Sequence, residues 1–345
     1  MINLSIIIPI AKNNRINQCL ESIAKNQLGG LQIEVIIVAF SRVAINQEQL
    51  DHNAINLKII PTEINHPSKM RNLGVAQATG EFLVFFDDDV AVPIHWLSTC
   101  HQLLKQKPLE IVCGPNIDRD NDWGHVLAND IQSLYITEGL KTHEVKNRRE
   151  VNFHNIPLNN CGLSQKIFKR VGGFNEEVDY YLDDVEFFYI CHKLGYRFQQ
   201  YPELAIQHYC RRFPWEFLRY KFYARKKIGR NAFFFPELYR DSRVIVIIFF
   251  SYLIIPLIVA SFLLHPLPTS KIFLLFATLY LLIVILSSLK MLKRGWRYGL
   301  IILGIFLTHL VSYIGFASGL ILGLASINQN KKIKIIKAKR YAVFN

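Results

Sequence analysis

The stretch that decides the fold is Glu81–Val90, which reads EFLVFFDDDV. Five consecutive apolar residues, Phe82–Phe86, are typical of a strand that is buried on both faces of a parallel sheet. Three carboxylates follow at once, Asp87, Asp88 and Asp89, at the end of the strand where open α/β sheets bind ligands. Adjacent carboxylates repel one another, and aspartate oxygens suit Mg²⁺ or Mn²⁺. The stretch predicts either a cation site or a solvated acidic turn.

Apolar runs and helix signals on both sides of this stretch predict a mostly parallel sheet with helices on its two faces. The predicted strands are Leu4–Ile10, Ile33–Phe40, Leu57–Ile60, Glu110–Cys113, Tyr196–Gln200 and Ala205–His208. The predicted helices are Arg15–Gln27, one from Pro67 to a cap at Gly80, one after Pro93, and one that Ser164 caps and that ends at Gly172 and Gly173. Asp118–Glu150 is polar and too long for an ordinary connection, which predicts an irregular loop with a functional or mobile role.

A second acidic motif lies in Tyr180–Gly195, which reads YYLDDVEFFYICHKLG. The pattern predicts an amphipathic helix with Asp183, Asp184 and Glu186 in its first turn. Carboxylates at this position either only complement the helix dipole or contribute to a second acidic site. A carboxylate that is to remove a proton from a hydroxyl must lie within hydrogen-bond reach of it, and Asp184 is the candidate.

Charge divides the chain into two parts, and its 345 residues allow about two domains. Residues 1–205 hold 19 Lys and Arg against 24 Asp and Glu, a net charge of −5. Residues 206–345 hold 21 against 3, a net charge of +18. Because the long apolar runs lie in the basic part, the pattern predicts an anionic membrane as partner, and no nucleic acid.

The basic part opens with Arg211–Arg243, in which ten Lys or Arg are interleaved with Trp, Phe and Tyr. Such a segment resembles a surface that binds single-stranded nucleic acid or an amphipathic segment on an anionic leaflet. The apolar run that follows favours the leaflet.

Three apolar runs follow, Val244–Leu264, Ile272–Leu289 and Gly299–Ala325, each near the ~20 residues that cross a bilayer. The tail Lys331–Arg340 carries six more positive charges. Three spans would place this tail opposite a cytosolic catalytic domain, whereas the positive-inside tendency keeps it inside. A re-entrant segment would resolve the conflict, at Pro256 or at spaced glycines of the third run. Those glycines are Gly304, Gly315, Gly319 and Gly323. The topology stays open.

Six scattered cysteines without a CxxC pair predict reduced core residues of a cytosolic domain. We expect no cleavable signal before Leu4, since the run Ile6–Ile10 is too short for one.

Four segments, in chain order, resemble a family 2 glycosyltransferase with a GT-A fold, over roughly residues 4–210. They are the opening strand SIIIPI, the segment RNLGVAQATGEFLVFFDDDV, the segment RVGGFNEEVDYYLDDVEF, and His208. The second segment resembles the family's Asp-x-Asp metal motif, and the third resembles its acceptor-side motif. The membrane region after it resembles that of many polysaccharide-assembly members.

The resemblance implies an inverting glycosyltransferase that moves a sugar from a nucleotide-diphosphate-sugar donor to an acceptor hydroxyl, in the synthesis of cell-envelope or extracellular polysaccharide or glycolipid. Because the chain also has a membrane region, we expect a lipid-linked or membrane-proximal acceptor. Asp87 and Asp89 would hold Mn²⁺ or Mg²⁺, and Asp184 would be the base, with Asp183 and Glu186 beside it on the acceptor side. The residues expected to contact the donor phosphates or nucleotide are Pro9, Lys69, Arg71, Asn72, Asp88 and His208. Lys69 is alternatively a solvated lysine, and His208 a structural histidine.

Two features depart from the family pattern. Relatives end the second strand with an aspartate that binds the donor base, but this chain has Ala39-Phe40-Ser41. Base recognition by a side-chain carboxylate is therefore not expected at this place, and a UDP-sugar donor is not assumed. The Q-x-x-R-W signature of processive members is also absent, and its nearest counterpart is Leu218-Arg219-Tyr220. Repeated polymerisation is not expected.

Two other classes remain open. A nucleotidyltransferase also suits an acidic strand end, and an inactive membrane scaffold suits the missing aspartate of the second strand. The expected regions are a GT-A catalytic domain at 1–210, an interfacial segment at 211–243, a membrane region at 244–326 and a basic tail at 327–345. The expected location is the inner cell membrane, multi-pass, with a cytoplasmic catalytic domain.

Overall fold

The computed structural model describes residues 2–10, 15–40, 55–118, 122–134, 136–137, 145–177, 182–209, 211–232, 234–239, 269–325 and 327–343. The chain forms two compact units, each made of separate stretches. The sheet unit comprises Met1–Arg119, Thr142–Tyr209 and Ile335–Asn345, and the helical unit comprises Asp120–Lys141 and Cys210–Lys334. The predicted division into four regions remains a prediction.

The sheet unit is a mixed α/β structure, as predicted. Its strands are β1 (Leu4–Ile10), β2 (Ile33–Phe40), β3 (Ile55–Thr62), β4 (Phe82–Phe86), β5 (Val90–Ala91), β6 (Glu110–Cys113), β7 (Asn116–Asp118), β8 (Arg149–Glu150), β9 (Asn160–Ser164), β10 (Arg197–Gln200) and β11 (Ile206–His208). Eight strands form one sheet in the order β3-β2-β1-β4-β9-β6-β10-β8, and three form a second in the order β5-β11-β7. Strands β3, β2, β1 and β4 are mutually parallel, and β9 runs antiparallel to β4 and β6.

Helices surround this sheet and build the other unit. Those of the sheet unit are α1 (Ile16–Ala24), α2 (Pro67–Ala76), α3 (Trp96–Gln106), α5 (Gln165–Val171) and α6 (Asp183–Lys193). Those of the helical unit are α4 (Trp123–Gln132), α7 (Trp215–Asn231), α8 (Thr269–Ser288) and α9 (Arg297–Ala325). Helix α10 (Ile327–Tyr341) ends in the sheet unit.

The core of the sheet unit lies around β1 and β4. Every residue of both strands is buried, which confirms that their apolar runs are strands covered on both faces. Helix α1 buries Ile16, Cys19, Leu20 and Ile23, the face that its sequence predicts. The five described cysteines are free and buried, as expected of reduced core residues. Cys210 lies outside the described residues.

Two local predictions are wrong. Helix α2 ends at Ala76, and Gln77 rather than Gly80 caps it. Gly80 instead packs on β1, where its amide donates to Oγ of Ser5 at 2.9 Å. A Cβ at this glycine would lie 2.6 Å from that oxygen, so the position requires glycine. The predicted loop Asp118–Glu150 contains α4, whose first turn is capped because the side chain of Asp122 accepts hydrogen bonds from two backbone amides.

The helical unit is organised by the close packing of α7 against α9. Added Cβ atoms at Gly315, Gly319 and Gly323 would collide with backbone carbonyl groups of α7, at Phe222, Lys226 and Arg230 respectively. Glycines spaced by four residues therefore let the two helix backbones approach. Helix α9 is continuous through them, so the suggestion that they permit a re-entrant break is wrong.

Within the described residues, one helix, α9, is long and apolar enough to cross a membrane by length and composition, a property that buried core helices share. The second apolar run forms α8. The first, Val244–Leu264, lies outside the described residues. Several membrane-spanning helices therefore remain a prediction.

Gly319→Ala should lower the free energy of unfolding by about 1–3 kcal/mol, because the added methyl group must push α7 away. The matched control is Gly299→Ala in the same helix, where an added Cβ meets nothing within 4 Å. There we expect no loss, since alanine favours helix over glycine by up to ~1 kcal/mol. Thermal unfolding of the purified variants measures both. Equal effects at the two positions would contradict this account of the packing.

Candidate active site

Three side chains that can ligate a metal meet at the end of β4. Asp87 and Asp89 lie between β4 and β5, and the pairing of β11 with β5 sets His208 opposite Val90. One donor atom from each of Asp87, Asp89 and His208 lies within 4.8 Å of the other two. The Nε2 atom of His208 is 3.3 Å from Oδ1 of Asp89. All three side chains are half-buried.

This donor set fits a small divalent cation. Two carboxylates and one imidazole suit Mn²⁺, whereas Mg²⁺ prefers oxygen ligands alone. His208, predicted to contact the donor phosphates, therefore lies beside the predicted metal ligands Asp87 and Asp89. Asp88 is half-buried in the same turn, outside this cluster of three. Its contact with the donor stays a prediction.

Arg71 on α2 joins the two acidic motifs of the sequence. Its Nη2 atom donates to Oδ1 of Asp87 at 2.9 Å, and its Nη1 atom lies 3.6 Å from Oδ2 of Asp183. The side chain of Arg71 is only 5% exposed. The Oγ atom of Ser68 donates to the same Oδ2 of Asp183 at 2.6 Å. One guanidinium group therefore fixes the metal cluster relative to the start of α6, and its predicted contact with phosphate stays a prediction.

The two aspartates at the start of α6 have different surroundings. Asp183 is buried, 2% exposed, and bonded to Ser68 and Arg71. Asp184 is half-buried, and its Oδ1 atom accepts a hydrogen bond from the amide of Val185. Asp184 is therefore the member of the pair whose carboxylate is less occupied by neighbouring side chains.

Desolvation and the neighbouring carboxylate of Asp183 raise the pKa of Asp184 to about 7. A carboxylate with a pKa near neutrality accepts a proton more readily than an ordinary aspartate, which suits general-base catalysis at physiological pH. This agrees with the predicted choice of Asp184 as the base.

Two further predicted site residues, Asn72 and Glu186, have structural partners, and their roles in binding the donor and the acceptor stay predictions. The amide group of Asn72 donates to the carbonyl of Phe174 and accepts from its backbone amide, each at 2.9 Å. Glu186 is fully buried, and both of its carboxylate oxygens accept from Arg340 at 2.9 Å. Sequence reasoning missed the role of Arg340, because nothing in the basic tail distinguishes one cation from its neighbours.

The other predicted donor contacts lie on elements that reach the same edge of the sheet. Pro9 is the buried penultimate residue of β1, and Lys69 is half-buried on α2 between Ser68 and Met70. Strand β2 ends at Ala39 and Phe40, which are apolar, so no carboxylate stands at this strand end. The donor roles of Pro9 and Lys69 stay predictions.

Part of the chain matches a known protein family. Residues 5–172 match the family model "Glycosyl transferase family 2". A 94-residue segment is 32% identical to poly(ribitol-phosphate) beta-N-acetylglucosaminyltransferase TarS of Staphylococcus aureus strain Mu50 / ATCC 700699, and equally to that of strain MW2. The segment covers 26% of this chain and 16% of those relatives, well short of their full length.

Solved structures of S. aureus TarS are also similar. The structure of TarS 1-349 is 16% identical, with a TM-score of 0.46, over 92% of this chain and 91% of that one. TarS 1-349 in complex with UDP is 16% identical, with a TM-score of 0.45, over 95% of this chain and 92% of that one.

The matched residues 5–172, just under half of the chain, include β1, α2, β4 and the three aspartates, so this part of the chain is similar to family 2 glycosyltransferases. This confirms the resemblance that the sequence motifs indicate. The acidic pair of α6 and His208 lie beyond the matched residues.

Proposed function

We propose that this protein is an inverting, metal-dependent glycosyltransferase that moves a sugar from a nucleotide-diphosphate-sugar donor to the hydroxyl group of a lipid-linked acceptor, in the assembly of a cell-envelope or extracellular polysaccharide or glycolipid. The observation that carries the proposal is the guanidinium group of Arg71, which contacts both Asp87 and Asp183. This contact holds the metal cluster of Asp87, Asp89 and His208 close to the first turn of α6, which carries the candidate base Asp184.

Different residues serve the departure of the diphosphate and the activation of the acceptor hydroxyl. Asp87, Asp89 and His208 would hold the cation, which neutralises charge on the leaving diphosphate. The carboxylate of Asp184 takes the proton of the acceptor hydroxyl. The acceptor oxygen forms a bond to the anomeric carbon as the bond from that carbon to the diphosphate oxygen breaks, and the electron pair leaves with the diphosphate. Attack from the opposite face inverts the anomeric centre.

The donor is not restricted to a uridine diphosphate sugar in this proposal. The end of β2 offers Ala39 and Phe40 in place of a carboxylate that could accept hydrogen bonds from a base. Recognition of the donor then depends on its phosphates and sugar more than on its base.

A screen of nucleotide sugars tests the proposed activity. Purified protein with Mn²⁺ should release nucleoside diphosphate from one of the donors, and a chelator should stop the release. Asp89→Ala should lower turnover by at least ~100-fold while circular dichroism shows a folded protein, since a lost metal ligand removes stabilisation of the leaving group. Release of pyrophosphate would indicate a nucleotidyltransferase instead. Absence of any turnover across the panel would favour the inactive scaffold.

The pH dependence of turnover tests the base. Because the pKa of Asp184 is raised to about 7, we expect kcat to fall as the pH drops below that value, where the carboxyl group becomes protonated. Asp184→Asn keeps the size but cannot accept the proton, so transfer should fall at least ~100-fold while donor binding survives. An Asn variant with the wild-type pH profile and turnover would exclude this role.

Membrane association is part of the proposal. It is supported by the net charge of +18 in residues 206–345 and by exposed leucines on α8 and α9. Those leucines are Leu274, Leu275, Leu279, Leu281, Leu282 and Leu286 on α8, and Leu303, Leu322 and Leu324 on α9. A basic region with apolar helices fits an anionic leaflet, and nucleic acid is not a partner in this account.

The tail constrains the proposed topology. Arg340 hydrogen-bonds Glu186, and both belong to the sheet unit. The end of the tail and the catalytic domain therefore lie on the same side of any membrane that the chain crosses. The crossings between Tyr209 and Ile335 would be even in number, which agrees with the positive-inside tendency and a cytoplasmic catalytic domain at the inner cell membrane.

A leaflet that holds both enzyme and acceptor raises the effective concentration of the acceptor. We therefore expect a higher kcat/KM for a lipid-linked acceptor sugar than for its water-soluble form, by at least ~10-fold. Steady-state kinetics in anionic vesicles measures the ratio. Equal values for the two forms would rule out a lipid-linked acceptor.

A further inference from the structure

The last turn of α10 returns to the sheet unit and places Arg340 among backbone and carboxylate acceptors. Its Nε and Nη2 atoms donate to Oε1 and Oε2 of Glu186, each at 2.9 Å. Its Nη2 atom also donates to the carbonyl of Gly173 at 2.9 Å, and its Nη1 atom donates to the carbonyl of Gly172 at 3.4 Å. The planar guanidinium group thus joins α6 to the turn after α5, with a geometry that a lysine cannot reproduce.

The buried carboxylate of Glu186 depends on its contact with Arg340 for a compensating positive charge. Its side chain is fully buried, and the groups that face it are Arg340, the amide of Asn175 at 3.1 Å and the carboxylate of Asp183 on its own helix. Burial raises the pKa of Glu186, and Arg340 opposes that rise. A buried carboxylate that loses its cation is strongly unfavourable.

The hydrogen bonds and ion pairs form a closed network around the first turn of α6. At one end, Ser68 and Arg71 of α2 hold Asp183. At the other end, Arg340 holds Glu186, one helical turn later. Arg340 also holds the carbonyl of Gly173.

The network closes through Phe174, which follows Gly173. The backbone of Phe174 forms two hydrogen bonds with the side chain of Asn72 on α2. Asp184 lies within the turn that is fixed at both ends. The orientation of the Asp184 carboxylate therefore depends on how Asp183 and Glu186, on either side of it, are held.

We propose that Arg340 is a positioning residue for glycosyl transfer, which aims the carboxylate of Asp184 by fixing Glu186 and the Gly172–Gly173 turn. The inference rests on the proposed function, and it gives the end of the basic tail a role in catalysis. It concerns the aim of the base and not the binding of the donor, because Arg340 contacts neither the metal cluster nor Arg71 among the described residues.

Arg340→Met tests the proposal in the full-length protein, with Lys339→Met as the matched control. Lys339 is exposed on the same turn, so the control removes an equal charge from the tail. For Arg340→Met we expect kcat to fall by about 10-fold or more, since small misplacements of a catalytic group are costly. The KM and the dissociation constant for the donor should stay within about 2-fold of the wild-type values, because the substitution removes no contact that binds the donor. Lys339→Met should match the wild type.

Arg340→Lys separates positioning from charge. The lysine keeps a cation beside Glu186, so its melting temperature should stay near that of the wild type. It cannot bond two carboxylate oxygens and two carbonyls in one plane, so its kcat should remain reduced. A fully wild-type kcat in Arg340→Lys, or equal kcat values in Arg340→Met and Lys339→Met, would overturn the proposal. If Arg340→Met does not fold, Arg340→Lys alone decides by the same criterion.

Thermal unfolding gives a readout that does not depend on glycosyl transfer. In Arg340→Met the pKa of Glu186 in the folded state rises further above its unfolded value, so the loss of stability is small at pH 5 and grows as the pH rises. Adding Glu186→Gln to Arg340→Met should abolish the increase of the stability loss with pH. Loss of stability that is independent of pH would contradict the pairing. Wild-type protein without transferase activity would refute the proposed function while leaving this pairing measurable.

Discussion

The structure of the site depends on a buried guanidinium group that is shared by carboxylates from two distant parts of the chain. Arg71 contacts Asp87, at the end of the central strand β4, and Asp183, at the start of α6. With a side chain only 5% exposed, it cannot exchange these partners for water at little cost. Removing one member of a fully buried pair, such as Arg71 and Asp183, typically costs about 3–5 kcal/mol. The metal cluster and the candidate base are therefore positioned by the same interaction.

Local sequence patterns predicted the parts of this arrangement that depend on local burial. The strands β1 and β4 agree with the structure because burial on both faces demands uninterrupted apolar residues. The acids after β4 and the acids in the first turn of α6 also lie where the sequence predicted them. The contacts of Arg71 with Asp183 join residues that are far apart in the chain. No periodicity records such a contact, so the sequence did not predict the bridge between the two carboxylates.

The helical unit and the tail show a second limit of sequence patterns. Spaced glycines in an apolar helix are compatible with a break or with close packing, and only the partner helix decides. Here Gly319 faces the carbonyl of Lys226 on α7, and packing is the outcome. In the same way, six positive charges in the tail predict a surface, yet the sixth, Arg340, is largely covered, 14% exposed, against Glu186.

In the proposed function, Asp87, Asp89 and His208 form a cation site that serves the donor diphosphate. A crystal structure of the protein with Mn²⁺ and a nucleoside diphosphate, with anomalous diffraction recorded near the manganese edge, tests it most directly. We expect one anomalous peak within coordination distance of the three side chains, with oxygens of the diphosphate bound to the same ion. A bound nucleoside diphosphate with no anomalous peak at these residues, or with the peak elsewhere, would contradict it.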